Sequence, residues 1–361
     1  MGADGHRLGP LAVSLVALTL TGIFTAGALW IGGYAPMSAL GSLFMGAFGS
    51  VDRFLSVTLV HAVPLVLTGL AVAVAFRAGV WNIGAEGQFY AGAVAGVWMG
   101  LHVGHLPAVM AISATLLAAG AAGSLWALVP AVMRIRLGVG EVITTILMNF
   151  VAIHLVSYVV RWPLQEARGV FPNTDMVGEV VRLPILIPGT RLHAGFALAM
   201  VLCLVLWAVF RFTAFGFGVR AVGASEAAAR LSGRIDVRRV VLSTFLISGA
   251  LAGLAGGVEI SGRTFALYEG LSPGWGYTAI AVALLAGLNP LGVVFTGILF
   301  GALEGGAGAM QREAGVPAAW VSGIEALVML AVLAVDQAAR RIRPVVLDVT
   351  HKREAREAQG V

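Results

Sequence analysis

From Gly87 to Met133 the chain runs 47 residues without one Asp, Glu, Lys or Arg. As helix that stretch would reach about 70 Å, twice what a bilayer's roughly 30 Å hydrocarbon layer needs. It predicts two crossings, with His102-Val103-Gly104-His105 at the turn between them. Such runs recur along the 361 residues, and charged side chains make up only 11% of the whole against about 25% in a soluble domain. With 59% hydrophobic residues and a mean hydropathy of +0.92, a soluble protein with one anchor is excluded.

The other uncharged runs place further crossings at Leu11 to Trp30, Phe54 to Phe76, Val142 to Val160, Leu192 to Phe210, Val240 to Val258 and around Trp320 to Val335. Ile31 to Ser50, rich in glycine, reads as a loop or partial helix. Between Glu269 and Glu304 the run is interrupted by Pro273 and Asn289-Pro290 and is short for two straight helices, so Tyr277 to Leu303 reads as two short or tilted helices, spanning or re-entrant. The expected fold is an all-α polytopic membrane protein, a single transmembrane domain over residues 1–361 with about ten full or partial membrane helices. Placing both termini in the cytoplasm collects 16 of the 23 basic residues on that side, including a connector at 214–239 and a charged tail at 337–361.

The basic residues are 22 arginines and a single lysine, Lys352. A Gly-Lys-Ser/Thr phosphate loop is therefore absent, and any ATP driving this protein is bound by another chain. The arginines read as retained at cytoplasmic helix ends and not as a nucleic-acid surface. Cys203, the lone cysteine, lies in an apolar run as a small core residue. There is no His-Glu-x-x-His, no Gly-x-Ser-x-Gly and no clustered histidines beyond His102 and His105, so neither a metal site nor a catalytic group is expected.

Five glutamates fall in or beside the apolar runs: Glu86, Glu141, Glu259, Glu304 and Glu325. A carboxylate at the bilayer centre costs about 2.5 to 3.5 kcal/mol on insertion scales, so each must face protein or water. Glu141 and Glu259 lie near span ends, where the interface would wet them. Glu86 and Glu304 lie among glycines and are the better candidates for a polar pathway. The densest polar cluster is Arg77 to Gln88, with Trp81, Asn82, Glu86 and Gln88 set among three glycines. It reads either as a bent element held against neighbouring helices or as a turn meeting water. Four-residue glycine repeats at Gly92, Gly96 and Gly100, at Gly249 and Gly253, and at Gly297, Gly301 and Gly305 predict close helix contacts. Asn82-Ile83-Gly84 and Asn289-Pro290-Leu291-Gly292, each ahead of such a repeat, hint at an internal duplication. In the connector, Ser225 can cap a short helix carrying Glu226 to Leu231 that stops at Gly233. That helix suits a protein partner, or the connector is held by anionic lipid.

Four segments together, Phe76 to Gln88, Gly138 to Asn149, Arg220 to Gly233 and Ser248 to Gly256, resemble the permease subunits of bacterial ABC importers in the branched-chain amino acid, ribose and nucleoside group. The similarity runs from about Leu55 to Asp336. Where ribose-type members carry Gly-Ile-Asp-Leu-Ser-Val-Gly, this chain has Trp81 to Gln88, which looks like the nucleoside branch. The resemblance implies a permease that binds no cofactor itself, with ATP and Mg held by a tandem-domain ATPase. It also implies a second homologous permease, an extracytoplasmic binding lipoprotein and residence in a bacterial inner membrane. It makes Ser225, Glu226, Ala227, Ala228, Arg230 and Gly233 the coupling segment, although the general importer pattern has glycine where Ser232 stands. Trp81, Asn82, Glu86, Gln88, Asn149 and Glu304 are the residues expected to support or line the solute pathway. A simple-sugar permease is the nearest alternative, and a proton-coupled carrier using the membrane glutamates the next.

Overall fold

A computed structural model describes residues 10–317 and, in part, 319–334. Among the described residues the chain is helical, with isolated β-bridges only. The helices are α1 (Pro10–Ile31), α2 (Pro36–Phe48), α3 (Val51–Arg53), α4 (Leu59–Arg77), α5 (Ala85–His102), α6 (Ala108–Leu137), α7 (Glu141–Val159), α8 (Gly195–Phe212), α9 (Ala214–Ala224), α10 (Glu226–Leu231), α11 (Val237–Glu259), α12 (Trp275–Leu285) and α13 (Pro290–Ala314). A π-helical turn joins α3 to α4, and another extends α11 to Thr264. Six of the resulting rods are long and apolar enough to cross a membrane. Of the two crossings expected in Gly87 to Met133, α6 is one of these six, whereas α5, which ends at the expected turn at His102, is not among them. The partial helix in Ile31 to Ser50 is α2. The expectation of two short or tilted helices after Glu269 is corrected in its second half. α12 has 11 residues, but α13 has 25 and continues past Glu304; Pro290 opens it, at a position where a missing N–H costs nothing. Glu325, Asp336, Lys352 and the tail at 337–361 lie outside the described residues.

By internal packing the chain forms two units, Phe44–Gly306 and Met1–Leu43 with Ala307–Val361. In the second, Gly32 lies against the Trp320 ring, which meets Tyr34 edge-on at 5.7 Å. In the first, the rod Val51–Arg77 is central: 94% of its apolar window is buried, against 28% for Gly195–Phe212. A helix apolar all round belongs inside. α11 and α12 pack on α4, and α5, α6 and α11 pack on one another. Gly92, Gly123 and Gly253 make that three-helix contact, since a Cβ on Gly92 would strike the Gly253 backbone and one on Gly253 the Ala119 carbonyl. Gly297 and Gly301 likewise abut Val66 and Ala62 of α4. Outward faces stay apolar, as at Leu117, Leu147, Phe150 and Leu204, which suits lipid or a partner helix.

The polar segment between α7 and α8 is pinned along the stretch 261–267 by backbone hydrogen bonds, Thr174 to Leu267 (2.9 Å), Val177 to Phe265 (2.8 Å) and Leu183 to Ser261 (2.8 Å). Beside it, Arg161 grips Glu269 through two bonds of 3.0 Å, and that hydrogen-bonded pairing holds the Glu269 carboxyl below its usual range. Burial, with the nearby Arg263 charge, pushes His193 down to about 4. Its neutral Nδ1 accepts from Gly195 N at the start of α8.

Candidate functional site

The cluster Arg77 to Gln88 is a bent element held by neighbours. α4 ends in a Schellman cap: Gly79 takes φ +72°, Gly79 N bonds to Phe76 O (3.0 Å) and Val80 N to Ala75 O (3.1 Å). The chain then dips into the protein before α5 begins. Asn82 is fully buried, and all four hydrogen-bonding positions of its amide are used. Its Nδ2 donates to Gln88 Oε1 (3.1 Å) and Ser248 Oγ (2.9 Å), while its Oδ1 accepts from Gly84 N (3.0 Å) and Gln88 Nε2 (3.1 Å). Ser248 passes the connection on to Ala71 O of α4. Trp81 is the exception, 53% exposed with its ring 4.8 Å from Phe76.

One stripe of α7 binds the backbone of this element. Glu141, Thr145 and Asn149 are spaced four apart and so share a helix face. Glu141 Oε1 accepts from Trp81 N (3.3 Å), Thr145 Oγ1 from Ile83 N (3.3 Å) and Asn149 Oδ1 from Gly87 N (2.8 Å). Asn149 Nδ2 donates to Ile83 O (2.9 Å) and to Tyr277 Oη (3.2 Å). Buried backbone groups outside regular structure need such partners. Asn149 stood in the sequence reading. Thr145, Ser248 and Tyr277 did not, although the four-residue spacing from Glu141 to Asn149 was there to be read.

Glu86 is 2% exposed and caps a helix that is remote in sequence. Its Oε2 accepts from Gly276 N at 2.6 Å, in the first turn of α12, where helix N–H groups lack partners and the dipole favours an anion. Ser272 Oγ takes Gly274 N (3.1 Å) and Trp275 N (2.9 Å) of the same turn. The approach needs a glycine, since a Cβ on Gly276 would collide with Glu86 N. Glu304 serves this turn too, accepting the Trp275 indole N–H at 2.6 Å. The short helix α12 is thus tied to one carboxylate through its first-turn backbone and to a second through the Trp275 indole.

Glu259 departs from its expected wetted position. It is 2% exposed, and its Oε1 meets Arg263 Nη1 at 2.9 Å. Arg263 in turn lies 3.2 Å from His61 Nε2 and 5.6 Å from the Trp275 ring centre. Arg263, itself exposed, stands four residues on from Glu259, in the π-helical turn after α11, and its guanidinium reaches back to the buried carboxylate, which is met by protein and not by water. Neither Arg263 nor His61 stood among the site residues of the sequence reading.

In the connector, Ser225 caps α10 by accepting from Ala228 N (3.2 Å), and Gly233 follows the helix with φ +64°. Ala227 and Ala228 lie within α10, with Ala229 beside them facing inward. The Glu226 carboxylate sits between Arg230 Nη2 (2.8 Å) and Arg134 Nη2 (3.2 Å), the latter from the end of α6. Among the described residues no group of His, Cys, Asp or Glu could hold a metal ion.

An all-α chain with six helices long and apolar enough to cross a membrane is a multi-pass membrane protein. Comparison with known proteins says which. The family described as branched-chain amino acid transport system / permease component matches residues 54–333, and the chain belongs to it. It is similar to the guanosine ABC transporter permease protein NupP of Bacillus subtilis, 37% identical over 335 residues, 90% of this chain and 93% of that protein. The glucose ABC transporter permease protein TsgB13 of Haloferax volcanii is 38% identical over 331 residues, 89% and 85% of the two lengths. A second guanosine permease protein of Bacillus subtilis, NupQ, is 30% identical over 251 residues, 68% and 78% of the two lengths. No solved structure matches.

Proposed function

We propose that this chain is one of two homologous permeases in an ATP-driven importer that brings nucleosides into the cell across a bacterial inner membrane. The single observation that carries the substrate class is the 37% identity to a guanosine permease protein across nine-tenths of both chains. That two distinct guanosine permease proteins of one organism both match supports a heterodimer. On this reading the termini and the 214–239 connector are cytoplasmic, with about ten helices in or partly in the membrane. α10 seats in a tandem-domain ATPase that holds ATP and Mg, and a binding lipoprotein delivers solute on the other side.

The chain performs no covalent step. Solute passes by alternating access at the interface of the two permeases, and this chain supplies shape and hydrogen bonds. Asn82, with all four amide positions used, and Gln88 and Asn149, buried and bonded to protein partners, hold the α4–α5 element in place and do not touch solute in this conformation. Trp81, half exposed at the tip, is the side chain available to stack on a base. Glu86 and Glu304 fix α12, whose movement would change the path behind Trp81.

The test is uptake into proteoliposomes by the complete importer purified through a tag on this chain. ATP-dependent accumulation of guanosine or another nucleoside, competed by unlabelled nucleoside and not by glucose, is the expected result. Glucose accumulation unaffected by nucleosides would replace the substrate class with a simple sugar, the reading that the TsgB13 similarity favours. Uptake by this chain without any ATPase would overturn the importer itself.

A further inference from the structure

Between the connector helix and the α4–α5 element runs a continuous chain of charge and hydrogen bonds. Arg134, near the end of α6, holds two carboxylates at once: Glu141 Oε1 at 2.8 Å through Nη1 and Glu226 Oε2 at 3.2 Å through Nη2. The arginine and Glu141 side chains are 19% and 15% exposed, so water screens this link far less than it does the Glu226–Arg230 pair of the helix surface, at 42% and 66%. Glu141 is also the first residue of α7 and the acceptor for Trp81 N. From it the α7 stripe continues through Thr145 and Asn149 to Ile83, Gly87 and the α12 residue Tyr277. A planar guanidinium that bridges two acids from separate segments transmits displacement as well as charge, because its fork fixes both distances together.

We infer that Arg134 is a positioning residue that couples the Glu226–Leu231 helix to the Trp81 element, with Glu141 as the joint between them. When α10 is displaced by its partner, Arg134 carries Glu141 and the N-terminus of α7 with it, and the backbone of Trp81 to Gly87 follows because the α7 stripe holds it at three points. The inference rests on the proposed role of α10 as the ATPase contact, and it adds the route by which that contact reaches the solute path. A lysine at 134 could serve one carboxylate at a time and would break the bridge while keeping the charge.

The experiment uses the complete importer with Cys203→Ala, so that single cysteines report. Ala227→Cys reads contact of α10 with the ATPase by cross-linking, and Trp81→Cys reads the element by its rate of thiol labelling with and without ATP. In the parent, ATP is expected to change the labelling rate at 81 at least fivefold. Arg134→Lys and Glu141→Gln should each reduce that response below twofold, with the cross-link at 227 retained, and, in the importer that keeps Trp81 and Ala227, lower the solute imported per ATP hydrolysed about tenfold. Glu141→Gln is isosteric and lies on the far side of Arg134 from the ATPase, so it guards against a folding failure of the arginine variants. An ATP response at 81 that is absent in the parent, or unchanged in both variants, overturns the relay alone. Failure of Ala227→Cys to cross-link in the parent overturns the assignment of α10 as the ATPase contact.

Discussion

The α4–α5 and α12–α13 connections are built on one local plan and meet opposite surroundings. Each helix ends in Ala-Gly with the glycine left-handed, φ +72° at Gly79 and +60° at Gly287. Each closes with the same pair of backbone bonds, Val80 N to Ala75 O and Gly79 N to Phe76 O in one, Leu288 N to Ala283 O and Gly287 N to Leu284 O in the other. Each then has an asparagine whose Oδ1 accepts from the N–H two residues on, at 3.0 Å for Asn82 and 3.1 Å for Asn289. The sequence likeness of Asn82-Ile83-Gly84 to Asn289-Pro290-Leu291-Gly292 thus coincides with a shared helix cap. The first connection has one residue more, Trp81. The second lacks it and makes the turn by placing Leu288 at φ +57° as well.

The surroundings then diverge. Asn82 is enclosed by α7 and α11, whereas Asn289 is exposed at a cavity of about 380 Å³ lined by Arg77, Arg211 and Arg220. Arg77 joins the two connections, donating to Leu288 O at 3.3 Å. A shared cap therefore says how each helix stops and nothing about what the loop beyond it does. That is decided by which helices cover it.

The largest expected break in the comparison is at the two asparagines. Asn82→Leu should destabilise by about 3 kcal/mol, since it strands buried groups on Gln88, Ser248 and Gly84. Asn289→Leu removes one exposed turn bond and should cost about 1 kcal/mol or less. Thermal unfolding of both variants in one detergent would show it, and equal losses would mean that the enclosure of Asn82 adds nothing. Next, Gly79→Ala and Gly287→Ala should each cost about 1 kcal/mol, because both glycines are left-handed with no tight contact to the added methyl. A large difference between them would refute the common cap. Leu288→Gly should raise stability by up to about 1 kcal/mol through relief of its left-handed backbone, a gain with no counterpart at Val80. Smallest is Arg77→Gln, expected to shift the unfolding midpoint little in either direction, as its bond to Leu288 is long and partly solvated.

Much of the bundle was legible from charge placement alone. α4 to α8 and α11 begin and end within a few residues of the uncharged runs, because lipid admits few unpaired charges and the runs record where it lies. The Ser225 cap and the Gly233 stop were legible too, as local hydrogen bonding decides them. α13 was read too short because Pro290 and the glycines look like breaks, whereas one opens the helix and the others are its contact face. Glu259 was misjudged because nearness to a span end says nothing of whether protein or water covers it.

For the candidate site the division is similar. The sequence by itself determined that Asn82, Glu86, Gln88 and Asn149 are polar groups in an apolar setting and must find partners. It determined the helix face shared by Glu141, Thr145 and Asn149, and the absence of a lysine phosphate loop. Only the tertiary structure decided that Glu86 caps α12, 190 residues away, that Arg134 joins two carboxylates from different segments, and that Asn82 is closed off while Asn289 is open. The physical reason is range. Hydropathy and caps depend on a few neighbouring residues, whereas the partner of a buried carboxylate or amide is whatever group the packing of whole helices brings within about 3 Å.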